Sequence, residues 1–544
     1  MGALTKLKKF LMRERVLDAI FLAGLIILYS AVAIFNLGDD TAPQTFYKLR
    51  PEEVIAIKLK KKVHEPKLIF YTGITQNDFE LAQAWNENEC TSNYLTHSDF
   101  KDFAVDGPFR WRKVEIEHSA GAIFIKNMSQ RTIELGEVAV AERNTKIPIE
   151  VYTYYQGFLG QEKIVNLTDE QSAVKLNPSA TNSSYFDEVY FAQTAYQFAI
   201  GQVGYETTHP PLGKIIQAIP IKLLGRMTPF TWRIAGVLAG TLIIIAVYGL
   251  AKELFKSSAY ARVAAILVAL SGLHFAQTRL GTVDSYLCLF TILAFLFMLK
   301  YINSDKLRFM IGAGICFGAA CSIKWSGAFA GIGLLGLWLY HFYQKIKLKI
   351  DWKIKIKRAL LLCLISGCCF ILIPAVIYFS SYLGFSKTTL ATTPSDVINQ
   401  GTNLYEFHAS AFEPHPYGSK WYTWPVAAQP ILYSIYDGSK IMLMGNTILI
   451  YSSILALLIT AFFAIRKRDK KSLFILLGYC SLWLPYAWIG RTMFLYHYLP
   501  ASIFALLAIV NVFYRIPKTR KIIWLFLLVS TVSFIVAYPS MSGL

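Results

Sequence analysis

The chain has 544 residues, 54% of them hydrophobic and 16% charged, and a formal net charge of +19. Soluble globular proteins are about 45–50% apolar and about 25% charged, so this composition excludes disordered, collagen-like and disulfide-rich secreted chains. Its apolar residues come in runs near the roughly 20 residues that cross a bilayer, and the large positive charge has to be explained by where it sits.

Taken in chain order, the apolar runs predict eleven membrane helices, near 16–36, 232–250, 261–277, 283–301, 308–322, 325–343, 359–380, 446–465, 472–489, 493–514 and 522–538. The first follows a basic N-terminus. Its long apolar stretch, without a small-residue cleavage site, reads as a retained anchor that forms one unit with residues 1–36. Residues 37–183 are expected to form an extracytoplasmic β-rich insert, a small β-sandwich. Its clearer strand candidates are 114–117, 122–125 and 133–140, separated by turn-forming residues. A weaker one spans 147–152, where Pro148 demands an edge or a strand start. Cys90 is the only cysteine of this module, so no disulfide forms within it. Residues 184–380 carry the first-loop motifs and a transmembrane core. Residues 381–445 form a large outer loop rich in aromatic residues, His and Pro, and 446–544 the C-terminal helices. Pro374, Pro485 and Pro500 are expected to break or kink their helices.

Six short segments, 1–15, 251–262, 300–308, 345–358, 466–471 and 515–521, hold 27 of the 54 Lys and Arg residues but only five acids. They net +22, which leaves −3 for the rest of the chain. An even number of predicted spans separates each segment from the next. All six therefore lie on one side, the cytoplasm by the positive-inside rule, with the C-terminus outside. A nucleic-acid-binding protein would gather such charge on one soluble face, so no nucleic-acid partner is expected; membrane lipids are.

The residues that could carry chemistry sit at the other ends of the spans. Asp187 and Glu188 are adjacent carboxylates within Tyr185-Phe186-Asp187-Glu188-Val189-Tyr190-Phe191. In an apolar setting a carboxylate's pKa rises and it becomes a stronger base; an acidic first turn of a helix is the structural alternative. Thr208-His209-Pro210-Pro211-Leu212-Gly213-Lys214 offers His209 and Lys214 as donors to a phosphate oxygen, with the prolines fixing the approach and Gly213 a close turn. Arg233, Arg279, Asp284, Lys324, Arg491 and His497 fall at non-cytoplasmic span ends, where ionisable groups are functional-site candidates. Snorkelling or structural ion pairing is the alternative for each alone. Together the cations resemble a cage for an anionic headgroup. The loop string from Glu413 and His415 to Pro425, and Phe407-His408 before it, add aromatic rings suited to sugar faces or to the membrane interface. His408 and His415 lack the spacing of a zinc site. No P-loop string is present.

At these motifs the sequence resembles the protein O-mannosyltransferases, the dolichyl-phosphate-mannose-dependent family of GT-C glycosyltransferases. Asp187-Glu188 resembles the family's Asp-Glu motif. His209 through Lys214 resembles its HPPLGK string, and His415 through Pro425 and Phe494 through Pro500 its later signatures. Two features depart from the family pattern: about 150 residues precede Asp-Glu after the first span, and the 381–445 loop is too short for a β-trefoil module, as in bacterial members. The resemblance implies a GT-C-like multi-pass α-helical fold in a bacterial plasma membrane, with the N-terminus cytoplasmic and the active site extracytoplasmic. It implies inverting transfer of mannose from a polyprenyl phosphate to Ser/Thr hydroxyls of secreted or membrane proteins. Asp187 is then the expected base, with Glu188 orienting the acceptor or the base. His209, Lys214, Arg233, Arg279, Lys324, His415, Arg491 and His497 are expected around the donor's phosphate and sugar, and Asp284 is expected to orient a neighbouring cation. The scheme needs no cofactor beyond the lipid-linked sugar and no metal, although a divalent ion stays open. Two rival readings remain: a related transferase moving another sugar onto lipid or wall polymer, and a multi-pass transporter or binding protein. A transporter would place its polar groups at mid-membrane.

Overall fold

The computed structural model describes residues 2–74, 79–86, 100–155, 158–347, 352–410, 414–436 and 438–544. Cys90 and Glu413 lie outside the described residues. After α1 (Gly2–Ile34) come eleven strands: β1 (Tyr47–Leu49), β2 (Val54–Val63), β3 (Lys67–Thr72), β4 (Phe79–Asn86), β5 (Lys101–Val105), β6 (Trp111–Glu115), β7 (Ala120–Asn127), β8 (Ile133–Glu142), β9 (Thr145–Ile147), β10 (Ile149–Tyr155) and β11 (Phe158–Lys163). They form two antiparallel sheets, one in the order β1-β8-β3-β6 with β9 on β8, the other β11-β10-β2-β7-β4-β5. The inner faces meet in a core that includes Ile55, Ile57, Leu68, Phe70, Leu81, Ile123, Ile125, Leu135 and Val138. This is the sandwich expected from the sequence, with more strands. Pro148 sits between the end of β9 and the start of β10, where its missing N–H costs no ladder bond.

The helical part follows: α2 (Glu188–Ala199), α3 (Leu212–Leu224), α4 (Pro229–Phe255), α5 (Ser258–Ala269), α6 (Gly272–Arg279), α7 (Asp284–Ser304), α8 (Leu307–Ile323), α9 (Phe329–Ile346), α10 (Trp352–Gly367) and α11 (Ile373–Leu383). The outer loop holds α12 (Ser386–Thr389), α13 (Pro394–Ser410) and a hairpin of β12 (Ile431–Tyr436) and β13 (Ser439–Leu443); α14 (Thr447–Arg466), α15 (Lys470–Trp483), α16 (Leu499–Arg515) and α17 (Ile523–Ser542) complete the chain. Seven described helices are long and apolar enough to cross a membrane, or eight if α5 and α6, bent by 57°, form one span. By length and composition alone this count is lower than the eleven expected runs. The other three predicted runs fall on α8, α9 and α15, beside which the chain unwinds. Trp325–Ala328 and Leu484–Trp488 are 3₁₀ turns, the second containing Pro485. Pro500 lies in the first turn of α16, where its missing N–H is harmless, and Pro374 follows a wide π-type turn at Cys368–Leu372.

The six basic segments meet at one end of the bundle. Asp18, just after the first of them, accepts from Lys252 at 2.5 Å and Arg262 at 2.7 Å. Asn303 donates to Glu253, Lys345 pairs with Asp305, Lys471 donates to the Leu254 carbonyl, and Arg515 pairs with Asp469. The motif residues lie at the opposite helix ends: Arg233 begins α4, Asp284 begins α7, and Lys324 follows α8.

Candidate active site

The segment before α2 ends in a strained step. Phe186 has φ 51°, a left-handed conformation that costs an aromatic residue free energy, and its ring packs on Tyr433 at 4.6 Å. Asp187 and Glu188 then start α2 with different environments. Glu188 is fully buried. Its Oε1 accepts from Arg233 Nε at 2.7 Å and from the Gly281 amide at 2.9 Å, and its Oε2 from Arg233 Nη2 at 2.7 Å and the Tyr185 amide at 3.2 Å. Every strong acceptor direction of Glu188 is thus filled within the protein. Asp187 makes no side-chain cap bond to its own helix. Burial, followed by the charge of Asp284, raises its pKa to about 7 against the opposing pull of Lys324.

The cations divide in the same way. Arg233, buried, also donates to the carbonyls of Leu37, Ala180 and Ser183 at 2.8–2.9 Å. Arg279 caps the end of α1 through the carbonyls of Ala33, Phe35 and Asn36 at 2.5–2.8 Å. Lys214 Nζ is held by Glu206 Oε2 at 2.6 Å, the Glu206 carbonyl at 2.8 Å and the His209 carbonyl at 2.7 Å. Arg233 and Lys214 thus have every donor engaged inside the protein, and Arg279 three of its N–H groups.

The remaining cations share one cavity of about 640 Å³, walled by His209, Lys324, His408, Arg491 and His497 together with Trp325, Tyr378, Tyr405 and Trp488. Lys324 is bonded to Asp284 at 2.8 Å, with both side chains buried. Arg491 Nη1 lies 3.0 Å from His408 Nδ1, and His408 Nε2 lies 2.8 Å from the Thr208 carbonyl. Burial, then the Arg491 charge, lowers the His408 pKa to about 4, so the imidazole is neutral there. His497 stacks on Trp424 with an interplanar angle of 11°, and its buried Nε2 has no protein partner. His415 stands apart. It is exposed and accepts from the Tyr417 amide at 3.1 Å, and its ring abuts Phe494 at 5.0 Å.

Glu206 is a site residue that motif reading missed. Besides holding Lys214, its Oε1 lies 3.0 Å from His209 Nδ1, and it accepts from Thr208 Oγ1. Burial alone would raise its pKa, but Lys214 and His209 hold its carboxyl well below the usual range. Its signal was an acid three residues before His209 and eight before Lys214. His408, which the sequence marks only as part of an aromatic loop, joins the cavity wall between Arg491 and the Thr208 carbonyl. Gly213 lies within α3, not in a turn, and an added Cβ would come within 2.7 Å of Val283 at the start of α7. Its role is close helix approach. Among the described residues, one acidic group (Glu137, Asp169 and Glu170) has a metal-like arrangement. It lies in and beside the sandwich, and its oxygens already accept from Gln44, Thr45, Glu170 and Gln171.

Residues 175–385 match the family model described as dolichyl-phosphate-mannose-protein mannosyltransferase, and residues 394–544 that of the C-terminal four-helix region of protein O-mannosyltransferase. The polyprenol-phosphate-mannose–protein mannosyltransferase of Mycobacterium tuberculosis is 25% identical over 57% of this chain and 72% of its own. That of Mycolicibacterium smegmatis is 24% identical over 61% and 77%. The S. cerevisiae protein O-mannosyltransferase Pmt1-Pmt2 complex bound to the sugar donor shares the fold, with a TM-score of 0.59 at 15% identity over 66% of this chain and 87% of the yeast chain. The two family models together span about two thirds of the sequence and cover the helical bundle and every motif residue described above: the chain is a multi-pass membrane glycosyltransferase and belongs to the protein O-mannosyltransferase family.

Proposed function

We propose that this protein transfers mannose, with inversion, from a polyprenyl phosphate to Ser or Thr hydroxyls of secreted or membrane polypeptides at the outer face of a bacterial plasma membrane. The basic end of the bundle would face the cytoplasm. One observation carries the mechanism. Asp187 is a carboxylate left unpaired, with a pKa near 7, under the influence of Lys324, a cation in the wall of the cavity. Asp187 takes the acceptor hydroxyl's proton as that oxygen bonds to mannose C1. The C1–O bond to phosphate breaks on the opposite face, and its electron pair leaves with the polyprenyl phosphate. Lys324 and Arg491 supply positive charge, and the His209 and His497 rings N–H donors, where the leaving phosphate gains charge. Asp284 holds Lys324. No metal enters these steps.

The test is transfer by purified protein in nanodiscs, from polyprenyl-phosphate mannose to a Ser/Thr peptide, with the product's anomeric configuration read by NMR. An inverted mannosyl peptide is expected. Transfer of a different sugar in preference to mannose would overturn the donor assignment, and a metal-restored activity after chelation would overturn the metal-free steps.

A further inference from the structure

The sandwich lies outside both family models, yet it is not a tethered appendage. Tyr71, Trp111 and Ala139 on its outer face are buried in one cluster with Ala192 and Ala195 of α2 and with Trp232 of α4. The turn after β5, residues 106–110, packs against α2. Phe109 is fully buried at φ 55° and packs edge-on to Tyr196 of α2 at 5.6 Å. Its carbonyl accepts from the Ser184 amide at 2.9 Å. Ser184 Oγ donates to the Pro108 carbonyl at 2.5 Å and lies 3.3 Å from Arg110 Nε, while the Trp111 amide donates to Ser183 Oγ at 3.1 Å. The chain is thus fastened three residues before Asp187, and Phe186, strained at φ 51°, lies between. A non-glycine residue in such a conformation persists only where its surroundings over-determine it.

We propose that the 106–110 turn of the sandwich is a positioning element of the active site, which holds the Ser184–Phe186 backbone so that Asp187 stays unpaired at the start of α2. The sandwich then acts in catalysis through the backbone, not by binding a ligand. This inference rests on the reading of Asp187 as the base. The titratable groups around Asp187 are Glu188 beside it, Glu206 before α3, Asp284 of α7, Lys324 after α8, and Tyr433 and Tyr496. None belongs to the sandwich, so loosening the turn changes the hydration of Asp187 without removing a charge.

Full-length Ser184→Ala and Ser183→Ala/Ser184→Ala are compared with Ile57→Ala, which destabilises the sandwich's inner core away from the turn. Hydrogen–deuterium exchange at 184–191 is expected to rise in the serine variants and not in Ile57→Ala. In the serine variants kcat is expected to fall about tenfold, and the acid limb of kcat/KM to move down by about one pH unit as Asp187 hydrates. An inactive or unfolded fraction lowers kcat but leaves that limb in place. Unchanged exchange at 184–191 overturns the clamp. Raised exchange with an unmoved acid limb overturns its catalytic role. If the wild type transfers no mannose, the proposed function fails, and the exchange result still decides the clamp.

Discussion

Asp187 and Glu188 leave the first turn of one helix about 100° apart, and that rotation separates their chemistry. Glu188 turns into Arg233 and the Gly281 amide, while Asp187 makes no hydrogen bond to its helix. Asp187→Asn is expected to lower transfer by 100-fold or more, the usual range for a general base, with yield and melting temperature unchanged. Glu188→Gln is expected to fail differently. Breaking a buried ion pair from one side costs about 3–5 kcal/mol, so folded protein should be lost, as read by thermal melting. The sign of the pH dependence follows from the raised pKa of about 7. As the proposed base, Asp187 acts when ionised, so kcat/KM should rise with pH through that value. Asp284 raises that pKa and Lys324 lowers it. Asp284→Asn should therefore move the acid limb down and Lys324→Met should move it up, with the second also weakening donor use; equal shifts in one direction would refute the arrangement. Asp-Glu as a motif was legible in the sequence. Which carboxylate stays unpaired was not, because Arg233 and Gly281 reach Glu188 across 45 and 93 positions.

At the scale of elements, the site forms where helices stop. The 3₁₀ turns at Trp325–Ala328, Leu484–Trp488 and Leu495–Tyr498 contribute Trp325, Trp488 and His497 to the cavity wall. Hydropathy windows see the apolar residues of these stretches but not the unwinding. Eleven runs are therefore expected from the sequence, where seven or eight described helices have both the length and the apolar composition of a span. The Glu206–His209–Lys214 loop is a second such element. Glu206→Gln leaves Lys214 buried beside a neutral amide and frees His209 Nδ1 from its anchor. Donor KM is expected to rise well above that of the wild type, while Glu206→Gln/Lys214→Gln should recover melting temperature without recovering KM. Recovery of both would make Glu206 a purely structural partner of Lys214.

For the whole molecule, the six basic segments and the motif residues occupy opposite ends of the bundle. The proposed orientation puts Lys518 on the cytoplasmic side and Lys420 outside, so an impermeant maleimide applied to intact cells should label Lys420→Cys and not Lys518→Cys in a cysteine-free background. The reverse pattern would invert the orientation.

The sequence by itself determined the membrane class, the segregation of the charge into six short segments, the β-rich insert and the family motifs, because hydropathy and charge patterning act over contiguous residues. Only the tertiary structure decided which charges are committed. Arg233, Arg279 and Lys214 look like phosphate ligands in a string of residues, but carbonyls and carboxylates that folding brings to them engage every donor of Arg233 and Lys214 and three N–H groups of Arg279. Lys324, Arg491 and His497, no more distinctive in sequence, line the cavity. A buried donor must be satisfied wherever folding puts it. Whether the partner is protein or substrate depends on distances that span the whole chain.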